Sequence, residues 1–152
     1  MDQLDAEIVR LLQADARQSN RELARTLGVA PSTSLERVRS LTRRGVIRGY
    51  HAEIDTAALN RGVQALVAVQ IRPLSRSVID AFSEFASGLP EVLSTFVLSG
   101  GDDFVLHVGV PDLDRLHVFL TDRIAKRREV TGFRTSVIFK QVSKAAPERL
   151  PD

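Results

Sequence analysis

Residues 19–50, SNRELARTLGVAPSTSLERVRSLTRRGVIRGY, decide the fold of the first part of the chain. Ser19 with Glu22 three residues later fits a capping box, which starts a helix by satisfying two otherwise unpaired backbone donors. That helix carries Leu23, Ala24 and Leu27, and Gly28 stops it, as glycine does after a last turn. Only Val29 and Ala30 intervene before Pro31, a favoured first helical residue. The next helix places Leu35, Val38 and Leu41 on one face and ends at Gly45, after Arg43 and Arg44, whose charges suit a helix C-terminus. Helix, tight glycine turn, helix is the helix-turn-helix pattern, and its second helix is the one shaped to enter a DNA major groove.

On that second helix the outward face holds Ser32, Thr33, Glu36, Arg37, Ser40 and Arg44. Short hydroxyl side chains near its start permit close approach to bases and phosphates, and long arginines further along reach guanines or backbone oxygens. The expected DNA-contacting set is Ser32, Thr33, Ser34, Arg37, Arg39, Ser40, Arg43, Arg44 and Arg48. Glu36 is expected to pair with a neighbouring arginine. Between Leu35 and Tyr50 five arginines face one acid, a local balance of +4 against +2 for the whole chain. Upstream, Leu4, Ile8, Leu11 and Leu12 recur at helical spacing, with Asp2 or Asp5 near the start. Downstream, residues 46–54 have β character and read as a short hairpin or wing strand.

The pattern changes after a connector at 55–63. Residues 65–72 alternate as a strand; Val78, Phe82, Phe85 and Leu89 mark a helix. Residues 91–99 and 104–110 are strands joined by the turn Gly100-Gly101-Asp102-Asp103, a strong hairpin signal. Leu113, Leu116, Leu120 and Ile124 mark a second helix, and 134–141 a last strand. The order β-α-β-β-α-β is ferredoxin-like. The fold class is therefore α+β: a winged helix-turn-helix domain (1–54), a linker (55–63), a ferredoxin-like domain (64–141) and a tail (142–152).

Alternation sorts the strand residues into two faces. Val67, Val69, Ile71, Phe96, Leu98, Phe104, Leu106, Val108, Val137 and Phe139 fall on one, which two helices can cover. Leu66, Ala68, Gln70, Leu93, Thr95, Val97, Val105, His107 and Ile138 fall on the other, for which no helix remains. An apolar patch of that size is unusual on a monomer. Burying ~800 Å² per subunit would make a standard interface. Sheet packed on sheet in a two-fold homodimer is expected, presenting two recognition helices to two half-sites.

Composition bounds the function. The 152 residues are 43% hydrophobic and 26% charged, ordinary for a globular protein. There is no cysteine, which removes disulfides, thiolate zinc sites and cysteine catalysis. No apolar run reaches the ~18 residues of a membrane span, and the first residues do not read as a signal peptide. A cytoplasmic, nucleoid-associated protein is expected. Basic residues are 18 arginines and 3 lysines. His51, His107 and His117 lack metal-ligand spacing, and Ser32, Thr33 and Ser34 lack a histidine–aspartate arrangement nearby. No catalytic residue, metal or resident cofactor is expected.

The chain resembles the Lrp/AsnC (feast/famine) family of prokaryotic transcription regulators over nearly its whole length. One block runs through Leu4-Asp5, Ile8, Leu11-Leu12, Ala16-Arg17, Glu22-Leu23-Ala24, Gly28-Val29, Pro31-Ser32, Leu35, Arg37-Val38, Leu41, Gly45-Val46-Ile47 and Gly49-Tyr50. The second runs through Pro90-Glu91-Val92, Ser99 to Phe104, Val110-Pro111-Asp112 and Thr135 to Ile138. Ala30 departs from the family, which often has a capping serine there; Ser32 or Thr33 supplies the cap instead, or its loss is tolerated. The resemblance implies a C-terminal domain of the RAM/ACT-like type, dimers that often assemble into tetramers or octamers of dimers, and an amino-acid effector held between dimers. It places that effector at Gly100, Gly101, Asp102 and Asp103, with Thr135, Ser136 and Val137 adjacent. Gly100 matches the family's motif glycine, and Asp103 is the residue to meet an α-ammonium group. The implied function is a sequence-specific transcriptional regulator binding double-stranded DNA. A chromatin-like architectural DNA binder is the alternative, and an enzyme resembling siroheme decarboxylases a minor one.

Overall fold

The computed structural model describes residues 1–147, 149 and 150. The chain divides into two compact units, Met1–Glu53 with the segment from Val142 onward, and Ile54–Gln141. In the first unit, α1 spans Gln3–Ala14, with Asp2 as its N-cap: Asp2 Oδ1 accepts from the Asp5 backbone N–H at 2.8 Å. Helix α2, Asn20–Leu27, begins with the full Ser19–Glu22 capping box and ends at Gly28 in the left-handed conformation, φ 66°. Helix α3, Pro31–Arg43, starts from Ala30 with no side-chain cap. Neither Ser32 nor Thr33 substitutes, so the chain bears the cost of about 1 kcal/mol. Ile8, Leu23 and Leu41 form the buried centre, with Leu4, Leu12, Leu27, Val38 and Ile47 packed around it.

Two expectations for this unit need correction. The buried stripe of α3 runs through Ser34, Val38 and Leu41, at i, i+4 and i+7. Leu35 sits at its margin and is 37% exposed, whereas Ser34 is fully buried. Residues 46–54 form no strand. The Val46 and Ile47 N–H groups instead donate to the Leu41 carbonyl at 2.9 and 3.2 Å, closing the end of α3. β propensity expresses itself only where a partner strand lies alongside.

The second unit opens with a 3₁₀ turn, Thr56–Leu59, capped by Asp55. Strand β1 (Val63–Ile71), α4 (Arg76–Ser87), β2 (Val92–Val97), β3 (Phe104–Val110), α5 (Leu113–Phe119), a π-helical turn (Leu120–Ile124) and β4 (Val130–Val137) follow. The sheet order is β2-β3-β1-β4, and every pair is antiparallel. This is the expected βαββαβ arrangement. Phe82 and Ala86 of α4, and Leu116, Phe119 and Ile124 from the second helical run, pack on Val67, Val69, Phe104, Leu106 and Val108. The rings of Phe82 and Phe104 lie 4.6 Å apart between centroids.

Strand β4 covers 130–137 rather than 134–141, because β1 limits it. Val137 faces Ala65, and the Ile138 N–H donates to the Gln64 carbonyl at 2.8 Å, one residue inside the start of β1. Past that point β1 offers no partner, and Phe139 is 99% exposed rather than on the covered face.

A bulge between Val92 and Ser94 changes the sorting of β2. Thr95 faces Leu106 on the helix-covered side, and Phe96 faces Val105 on the open side. One extra residue reverses every side chain beyond it, so simple alternation assigned Thr95, Phe96 and Val97 to the wrong faces. The open face thus carries Leu66, Ala68, Leu93, Phe96 and Val105, with His107 Nε2 and Gln64 Oε1 in contact at 2.6 Å.

Two buried hydroxyls, Ser34 Oγ and Thr95 Oγ1, have no hydrogen-bond partner among the described residues. An unpaired buried hydroxyl costs about 1–3 kcal/mol. Ser34→Ala and Thr95→Val are each expected to stabilise the protein by about 1 kcal/mol in urea unfolding. A loss of stability in either variant would show that its hydroxyl is satisfied.

Candidate functional site

Helix α3 presents its candidate residues in three different states. Ser32 and Thr33 are exposed on the first turn, and Arg39 and Arg48 are exposed without an ion pair among the described residues. Ser40 is half-buried, and Ser34 points into the unit with its hydroxyl out of reach. Arg43 pairs with Glu36 at 2.9 Å, as the sequence led one to expect. That guanidinium holds the Glu36 carboxyl below the usual range.

Arg37 and Arg44 are held from α1. Arg37 Nη1 donates to Asp2 Oδ2 at 2.5 Å and to Asp5 Oδ1 at 3.2 Å, and Arg44 Nη1 donates to Asp5 Oδ2 at 3.2 Å. Asp5 is 3% exposed. The Asp5 backbone N–H, and after it Arg37, hold the Asp2 carboxyl below its ordinary value; bonding to Asp2 in turn raises Arg37 above its own. In the sequence Asp2 and Asp5 stand out only as helix-start acids. Their i, i+3 spacing puts both on one side of the first turn of α1, which was the available signal.

The β2–β3 turn is built into the sheet end. Gly100 takes φ 141°, and the space beside both Gly100 and Gly101 is open. The Asp103 N–H donates to the Val69 carbonyl at 3.0 Å, and the Asp103 carbonyl accepts from the Leu98 N–H at 2.8 Å. Asp103 is 7% exposed; its Oδ2 accepts from the Ile71 N–H at 2.8 Å and from Arg72 Nη1 at 3.1 Å. Its Oδ1 accepts no hydrogen bond among the described residues. Gln70 Nε2 donates to the Gly101 carbonyl at 2.8 Å, and Arg134 pairs with Asp102. Gln70, Arg72 and Arg134 therefore join the turn, although only contact across β1 brings them there.

Thr135, Ser136 and Val137 are exposed on β4 but do not meet the turn within one chain. They lie opposite Val67, Leu66 and Ala65, whereas the turn sits beside Val69 to Arg72. At the strand rise, Ser136 is about 13 Å along β4 from the level of Gln70.

Of the histidines, His107 lies within the open sheet face, and burial lowers its pKa. Among the described residues no group of three histidine, cysteine or acidic side chains is placed to hold a metal ion. No helix among them is long and apolar enough to cross a membrane.

Comparison with known proteins agrees with this geometry. Residues 1–42 match the AsnC-type helix-turn-helix domain, and residues 64–147 match the Lrp/AsnC ligand binding domain. The chain is 39% identical over 147 residues to the HTH-type transcriptional regulator AldR of Mycolicibacterium smegmatis, covering 97% of this chain and 86% of that one. It is 30% identical over 145 residues to the leucine-responsive regulatory protein of Escherichia coli, covering 95% and 88%. Among solved structures, a transcriptional regulator of Neisseria meningitidis in complex with L-Met superposes with a TM-score of 0.87 at 29% identity, covering 95% and 93%. An AsnC family regulator from Agrobacterium tumefaciens gives 0.87 at 30% identity, covering 99% and 97%. Two family domains in order on one chain, with a helix-turn-helix and a βαββαβ sheet to match, identify this protein as a member of the Lrp/AsnC family of transcription regulators, carrying a ligand-binding regulatory domain and not belonging to a family of enzymes.

Proposed function

We propose that the chain regulates transcription as a homodimer or a larger assembly of dimers, reading a pseudo-palindromic DNA site with α3 and responding to an amino acid. In this reading residues 1–54 bind DNA, 55–63 link, 64–141 sense and assemble, and 142–152 form a tail. The protein works in the cytoplasm, on nucleoid DNA. The observation that carries the DNA reading is α3 itself: exposed Ser32 and Thr33 at its start, and five arginines on or just beyond it.

Assembly is supported by the uncovered sheet face. Leu66, Leu93 and Phe96 are 40%, 37% and 50% exposed there, and both helices of the unit lie on the other side. The effector reading is supported by the relative solved with L-Met and by the relative described as leucine-responsive. The chemistry of the turn agrees. Open glycine backbone admits a carboxylate, and Asp103 Oδ1 remains to accept from an ammonium. Because Thr135, Ser136 and Val137 lie away from the turn of their own chain, a site using both draws on two copies. A ligand acts there only by favouring one assembly over another.

Titration of a duplex over a range of salt tests the DNA reading. Each lost phosphate contact lowers the log–log salt slope by about 0.9. Arg39→Ala with Arg48→Ala is expected to weaken binding and lower the slope by about 1.8; an unchanged slope removes both residues from the interface. Repeating the titration with each of the twenty amino acids reveals the effector, and a footprint spread evenly over random DNA favours the architectural reading instead. Phe96→Arg is expected to give a folded monomer by light scattering, and a variant that assembles like the wild type would overturn sheet-on-sheet pairing.

A further inference from the structure

Buried acids are expensive at helix contacts. Removing a carboxylate from water costs more than its ion pairs usually return, and a well-packed apolar residue would join two helices at least as well. Asp5 nonetheless sits 3% exposed between α1 and α3, with each carboxylate oxygen taken by a different arginine. Those arginines, Arg37 on α3 and Arg44 at its C-cap, are seven residues apart, about two helical turns on one face. One carboxylate reaches both only if their guanidinium groups converge on it. Arg37 is gripped a second time by Asp2, whose other oxygen caps α1. Both arginine side chains stay partly in solvent, 39% and 47% exposed. Their Nη2 and Nε donors are taken by nothing else among the described residues. The arrangement spends one nitrogen of each guanidinium on the scaffold and leaves the rest available.

We infer that Asp5, with Asp2, is a positioning residue for DNA recognition: it fixes the guanidinium groups of Arg37 on α3 and of Arg44 at its C-cap before DNA arrives. This rests on the reading of α3 as the DNA-reading helix. Arginine is among the most rotamer-rich side chains, and ordering it beforehand removes that cost at binding. A carboxylate placed only as an electrostatic brake acts differently. Its removal strengthens binding to every sequence alike, whereas loss of a positioning group lowers the preference for the correct one.

The test uses the full chain, a duplex enriched from a random library by the wild-type protein, and a scrambled duplex of equal length. Asp5→Asn is expected to cut the affinity ratio between the two duplexes at least tenfold, with scrambled-duplex affinity held or raised. In an Arg37→Gln, Arg44→Gln background the same substitution is expected to leave the ratio unchanged, because Asp5 then has nothing to position. A ratio that survives Asp5→Asn, or falls equally in both backgrounds, overturns the proposal. Should Asp5→Asn fail to fold, Asp2→Asn keeps an N-cap acceptor and carries the test. A severalfold drop in ratio supports positioning, and no drop refutes it. A wild-type chain that enriches no preferred duplex defeats the DNA reading itself, and the proposal with it, before any variant is made.

Discussion

A four-stranded sheet has two faces, and the second unit has helices of its own for one. Helix α4 and the run from α5 to Ile124 close over β1 and β3 so completely that Val67, Val69, Leu106 and Val108 lose all contact with solvent. What this leaves uncovered is a face of Leu66, Ala68, Leu93, Phe96 and Val105, interleaved with Gln64, His107 and Arg134. Apolar area of that kind is tolerated when something of matching shape lies against it. A two-fold copy of the same face is the simplest match, since it needs no second gene product and complements itself. The homodimer of the proposed function rests on this uncovered face.

Electrostatics in the first unit run against the impression given by linear charge counting. The stretch from Leu35 to Tyr50 carries a local balance of +4. In the fold, Asp2 and Asp5 arrive from α1 to meet Arg37 and Arg44, and Glu36 meets Arg43 along α3. Arg39 and Arg48 are left as the arginines of that stretch without a carboxylate partner among the described residues. The basic surface is therefore more patterned and less intense than the sequence implies.

Most of the architecture was legible because local chemistry announces it. Ser19 with Glu22, Gly28, Pro31 and Gly45 mark helix ends by hydrogen-bonding logic that needs no tertiary information. The glycine pair at 100–101 marks the hairpin for the same reason. The misreadings all depend on a distant partner. The bulge at Val92–Ser94 reversed the faces of Thr95 and Phe96, and no residue type in VLSTFV signals it. Strand β4 ends where β1 begins, which is a property of β1. Residues 46–54 have strand-like composition and no strand beside them. Ser34 went inward and Leu35 to the margin because the two possible stripes of α3 differ by one residue, and packing against Ile8 and Leu23 chose between them. At the site, the turn was visible, but its ties to Gln70, Arg72 and Arg134 were not, since they cross from one strand to the next.

The carboxylate of Asp103 is stitched to the backbone of β1 at Ile71, and its main chain is stitched to Val69 and Leu98. A hairpin tip fastened at so many points is no hinge. Its contacts tie it to β1, one of the two interior strands of the sheet. In the proposed reading, a ligand held at this turn acts through the packing of one subunit on another, because the turn itself is tied down too firmly to fold over it.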